Sequence, residues 1–85
     1  PRVTIEKGAR VSYSVILPGV TVESGAVIEY AIIGENCVIE SGARIGKSPE
    51  SVENRDDWGI AVLGHDITVS ENKEVDPKQI ISENI

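Results

Sequence analysis

Three near-copies of one phrase constrain this chain more than any other feature. VTIEKGARVSYSVILPG from Val3 is followed by VTVESGAVIEYAIIGEN from Val20 and CVIESGARIG from Cys37, each starting seventeen residues after the last. The first two copies share Val, Thr, Glu, Gly, Ala, Tyr and Ile at matching places. A repeat that short marks stacked coils. Aliphatic residues return at steps of six, five and six, through Ile5, Val11, Ile16, Val22, Ile28, Ile33, Ile39 and Ile45. The unit is a hexapeptide, with one residue missing per coil.

Six residues are too few for a strand plus a helical crossover, so each unit is a short strand and a tight turn, and three units close a triangular coil. Residues seventeen apart then lie above one another. Ile5, Val22 and Ile39 form one inward column, Val11, Ile28 and Ile45 a second, and Ile16 and Ile33 a third. Four residues after each of these, a second inward position calls for a small or slim side chain, and Ala9, Val15, Val20, Ala26, Ile32, Cys37 and Ala43 are expected to fill it. Gly8, Gly25 and Gly42 recur at one corner, with Gly34 and Gly46 elsewhere, where positive φ or close chain approach excludes a Cβ. The fold class expected is all-β: a parallel β-helix of about 17 residues per coil.

After Gly46 the period stops. KSPESVENRDDWG is polar and brings Pro49 where a small inward residue was due, which reads as an inserted loop. The six-residue step resumes at Leu63, Val69, Val75 and Ile81, in the frame of Ile33. Regular coils are therefore expected over 3–46, the inserted loop over 47–59 and a final capping coil over 60–85, all in one domain. Lys73 and Gln79 break the small-residue column, so the last turn is expected to open to solvent, and the tail SENI to fray. The N-terminal coil is as apolar as the middle one, and its upper surface would be an open end. With Pro1 first and no methionine at all, the chain is expected to be a segment of a longer one.

The repeat resembles the hexapeptide-repeat, left-handed parallel β-helix proteins, and IGENCV from Ile33 fits their consensus throughout. Left-handedness is implied by that resemblance alone, since parallel crossovers are otherwise right-handed. The run SVILPGVTVESGAVIEYAIIGENCVIESGARIG, an acidic insertion and then WGIAVLG together resemble the C-terminal domain of bacterial glucose-1-phosphate adenylyltransferase, the ADP-glucose pyrophosphorylase family of glycogen synthesis. This similarity spans essentially the whole chain. It implies a regulatory and oligomerisation domain, partnered by the N-terminal catalytic domain of its own chain in a tetramer or paired with a regulatory subunit. It also implies that Arg55, in RDDWGIAV, carries the family's effector-binding arginine, and an arginine fork suits a phosphate dianion. Glu50, Glu53, Asp56 and Asp57 surround that single cation, and a local pairing of Arg55 with Asp56, Asp57 or Glu53 is the competing reading.

Other chemistry finds little support. His65 is the only histidine and so the only candidate base for a hexapeptide acyltransferase, the rival class; a purely structural β-helix or non-catalytic paralogue is the third. Zinc sites take three or four protein ligands, and one His with one Cys falls short. No catalytic residue, cofactor or metal site is expected in this segment. Cys37 cannot form an internal disulfide and sits among small core residues, which points to packing in a reducing cytoplasm. All of the −6 net charge falls beyond Lys47, so no basic stripe is offered to a nucleic acid. No run approaches the ~18 apolar residues of a membrane span. Outside the core, Tyr13 and Tyr30 are expected to stack ring over ring, and Glu6, Glu23 and Glu40 to form a solvated acidic column.

Overall fold

The computed structural model describes residues 2–85. The first coil comprises β1 (Thr4–Ile5), β2 (Arg10–Ser12) and β3 (Val15–Ile16), and the second β4 (Thr21–Val22), β5 (Val27–Glu29) and β6 (Ala31–Ile33). The third has β7 (Val38–Ile39) and β8 (Arg44–Ile45) before the insertion and β9 (Ala61–Leu63) after it. The fourth has β10 (Thr68–Val69), β11 (Glu74–Val75) and β12 (Ile80–Ile81). The segment after the insertion therefore supplies the last side of the third coil and all of the fourth.

Every pairing is parallel, and strands join their counterparts one coil away to give three sheets of four strands: β1-β4-β7-β10, β2-β5-β8-β11 and β3-β6-β9-β12. This is the parallel β-helix that the repeat predicts, left-handed as the resemblance implies. The register pairs Ile5 with Val22, Ile28 with Ile45 and Ile33 with Leu63, so the frame does cross the insertion unshifted. Val22, Ile28, Ile33, Ile39, Ile45, Leu63, Val69 and Val75 are fully buried, and they fill the prism between the sheets.

The small-residue positions need a correction at one corner. Ala26, Cys37 and Ala43 are buried as expected, but Val15 and Ile32 point outward, 54% and 37% exposed. The inward small residue there is Ala31, with half-buried Ser14 in the coil above it. The reason is the missing residue. The slim position lies two before the next inward aliphatic, and where the step is five rather than six that is three residues on, not four. Tyr13 and Tyr30 make this short corner alone, each in the left-handed region at φ 50° and 51°. Ser14 Oγ accepts the Ala31 N–H at 3.2 Å and donates to the Ser12 carbonyl at 2.8 Å, which satisfies the backbone at this turn.

The tail also differs from expectation. SENI does not fray: the Ile85 N–H donates to the Thr68 carbonyl at 3.1 Å, and the Ile85 carbonyl accepts from Ser70 N–H at 2.9 Å and Ser70 Oγ at 2.7 Å. Asn84 Oδ1 accepts the Thr68 N–H at 2.8 Å. These bonds continue the first sheet by one rung, and half-buried Ile85 covers the core beneath Val69. An apolar last residue at the inward register position gives the tail a reason to dock, and the edge of β10 supplies the partners. Lys73 and Gln79 stay exposed, as the broken small-residue column predicts for the final turn.

Candidate functional site

The insertion grows out of the corner that Tyr30 closes in the second coil. Gly46 begins it at φ 78°, where a Cβ would run into the Glu29 carbonyl oxygen of the coil before, so only glycine lets the chain turn away here. Pro49 presets a 3-10 turn over Pro49–Ser51, in which Ser51 Oγ donates to the Ser48 carbonyl at 2.7 Å. Asn54 opens a second 3-10 turn over Arg55–Asp57, its Oδ1 accepting the Asp56 N–H at 2.9 Å. The loop is thus built from local turns rather than left shapeless.

Two clamps fix it to the prism. Trp58 packs edge-on against Tyr30, centroids 5.5 Å apart and planes 82° apart, and its Nε1–H donates to the Lys47 carbonyl at 2.6 Å, tying the exit of the loop to its entry. Tyr30 in turn stacks on Tyr13 at 4.8 Å and 14°, as the seventeen-residue spacing predicts. Trp58 therefore continues a ladder of three rings along one corner. Partial burial pushes the Tyr30 phenol above its ordinary value, with Tyr13, Glu50 and Glu29 adding to the rise. From the fourth coil, Lys78 Nζ donates to the Asp56 carbonyl at 2.9 Å and its N–H to the Gly59 carbonyl at 3.1 Å. Lys47 and Asp76 pair at 3.7 Å, a half-exposed contact worth little by itself.

On this clamped loop Arg55 is exposed, and among the described residues no carboxylate comes within ion-pair distance of its guanidinium. The local pairing with Glu53, Asp56 or Asp57 does not form. Arg44 and Lys47 line a groove of about 270 Å³ on the outer face of the β2-β5-β8-β11 sheet, with Val27, Glu29, Gly46, Glu74 and Val75. Two cations there face two carboxylates. Trp58, Lys47 and Lys78 carry the geometry of the insertion and were not singled out from sequence. Trp58 was the findable one, because the third coil otherwise lacks the ring that Tyr13 and Tyr30 repeat.

The remaining candidates sit apart from the loop. His65 is exposed at the corner after β9, its Nδ1 accepting the Glu35 N–H at 3.1 Å, so one imidazole nitrogen is engaged by backbone. Cys37 is fully buried and its Sγ donates to the Gly64 carbonyl at 3.0 Å. Burial pushes this thiol above its ordinary value. Glu6 accepts from Ser24 N–H at 3.2 Å, an exposed contact between neighbouring coils of the acidic column. Among the described residues no three His, Cys, Asp or Glu side chains converge as a metal site, and no helix is long and apolar enough to cross a membrane.

The match to a family model, not the geometry by itself, places this three-sided parallel β-helix with its clamped loop among the hexapeptide-repeat C-terminal domains of nucleotidyltransferase-type proteins. Within that class, the chain belongs to the family described as GMPPB C-terminal domain, whose model matches residues 1–84. No curated protein and no solved structure matches the chain.

Proposed function

We propose that this domain serves assembly and regulation in a glucose-1-phosphate adenylyltransferase, which forms ADP-glucose from ATP and glucose 1-phosphate. In this reading it packs against the N-terminal catalytic domain of its own chain, in a cytoplasmic tetramer or beside a regulatory subunit, and carries out no chemistry itself. Membership in a nucleotidyltransferase domain family supports the parent class, and the repeat, insertion and WGIAVLG in this order support the finer assignment.

The observation that carries the regulatory role is the clamped insertion. Trp58 and Lys78 hold a turn that presents Arg55 to solvent without a carboxylate partner. A fixed, unpaired guanidinium is ready to take a phosphate oxygen. Glu50, Glu53, Asp56 and Asp57 repel a dianion approaching the loop alone, so the effector has to be held from the catalytic domain as well.

Steady-state assays of the full-length enzyme test both levels. Turnover with ATP and glucose 1-phosphate supports the finer assignment, whereas turnover only with another nucleotide or another hexose 1-phosphate replaces it within the same class. Arg55→Ala is expected to weaken the response to a phosphorylated effector by about 1.5–3 kcal/mol of coupling while basal turnover is unchanged. An unaltered effector response removes Arg55 from the site.

A further inference from the structure

The outer face of the β2-β5-β8-β11 sheet lacks a side chain at one place. Ile28, Ile45 and Val75 point inward and are fully buried, so the residues flanking each of them point out: Val27 and Glu29, Arg44 and Gly46, Glu74 and Asp76. Of these six, Gly46 alone brings no side chain. The gap it leaves is the groove of about 270 Å³ described above, with Lys47 in its wall where the insertion departs.

The charges around this gap have not neutralised one another. Arg44 and Glu74 are direct cross-strand partners, a placement in which opposite charges ordinarily pair. Among the described residues, however, the one ion pair is that of Lys47 with Asp76 at 3.7 Å. Arg44, Glu29 and Glu74 therefore line the groove without an ionic partner. With Arg44 and Lys47 set against Glu29 and Glu74, its formal charge is zero.

We infer that this groove binds a small zwitterion, an α-amino acid with a short aliphatic side chain. The Arg44 fork takes the carboxylate through two parallel N–H donors. Glu29 and Glu74 take the ammonium, and Val27 offers its methyl groups to the aliphatic side chain. Charge decides against simple ions. A phosphate dianion would bring its negative charge beside Glu29 and Glu74 while Asp76 already holds Lys47, and a bare cation would meet Arg44 and Lys47 in the same way. A dipolar molecule without net charge meets neither penalty. Size decides against large ligands, because 270 Å³ lies just under the ~300–1,000 Å³ of pockets that enclose drug-sized molecules, which suits leucine or valine and leaves no room for a nucleotide. This inference does not depend on the role proposed for Arg55 or on the substrate of the parent enzyme, and its test reads binding alone.

Calorimetric titration of the full-length protein with L-leucine and L-valine is the test. Saturable binding is expected, and both Arg44→Gln and Glu74→Gln should weaken it about tenfold, the worth of one charge-assisted hydrogen bond. Both side chains are exposed, so melting temperatures should stay in place. Should Glu74→Gln disturb the last coil, Glu29→Gln on the interior strand carries the same expectation. Two altered ligands separate the ends of the site. Leucinamide lacks the carboxylate and should bind the Arg44→Gln variant no worse than the wild type, while N-acetyl-leucine lacks the ammonium and should be indifferent to Glu74→Gln. Absence of leucine and valine binding, or binding that either substitution leaves intact, overturns the inference. Binding of inorganic phosphate that disappears with Arg44→Gln also overturns it and assigns the groove to an anion.

Discussion

The two ends of the helix carry the same column and bury it differently. Ile5 on the first coil is 49% exposed, while Val69 on the fourth, three steps along the same column, is fully buried. Side-chain chemistry does not account for this. Val69 has Ile39 on one side and Ile85 of the returning tail on the other, whereas among the described residues Ile5 has a coil on one side only. In a solenoid, burial belongs to a coil's neighbours more than to its own residues, so identical repeats contribute unequally to stability.

Substitutions in the interior against their counterparts at the open end probe that difference. The largest effect is expected at the centre of the second column, where Ile28→Asp buries an unpaired charge and costs several kcal/mol, enough to unfold the chain. Glu29→Asp, one residue on and facing out, should leave the melting curve in place. Equal damage at the two positions would break the register. Next in size is the glycine pair. Gly46→Ala combines positive φ with a clash on the Glu29 carbonyl and should cost about 2–4 kcal/mol, whereas Gly8→Ala, whose Cβ would meet nothing nearer than the Gly25 nitrogen at 3.8 Å, should cost about 1–2 kcal/mol, the φ strain alone. Thermal melts of the two variants give the comparison.

The smallest effect concerns Cys37, a reporter of the sealed middle of the prism. Its thiol, held up by burial, should resist alkylation in the folded chain and react only as denaturant opens the coils. The unfolded thiol ionises at its ordinary value of 9.0 and the folded one later, so the stability this group contributes is whole below that pH and declines as pH rises past it. Rapid labelling at neutral pH without denaturant would show the interior to be as open as the first coil.

Much of this was legible in the sequence, for physical reasons that also mark where legibility ends. The columns through Ile5, Val11 and Ile16 could be read because a parallel coil has one period and every coil must obey it. The frame could be carried from Ile33 to Leu63 because a loop that leaves a solenoid has to return in register. At Val15 and Ile32 the same rule failed, since a fixed spacing of four ignores that the five-residue step tightens one corner around a single left-handed tyrosine. The docking of Ile85 was missed because tails fray by default, and only the unpaired edge of β10 provides a reason to do otherwise. Arg55 was named from family resemblance, but its freedom from Glu53, Asp56 and Asp57 depends on the turn Asn54 caps and Lys78 anchors, contacts that no spacing encodes.

Urea unfolding of Ile39→Ala and Ile5→Ala compares one column, one sheet and one chemical change at opposite degrees of cover. Ile39 is fully buried between two coils, so its truncation should cost about 3–4 kcal/mol, while half-exposed Ile5 should cost about 1 kcal/mol. Equal losses at the two positions would contradict the account.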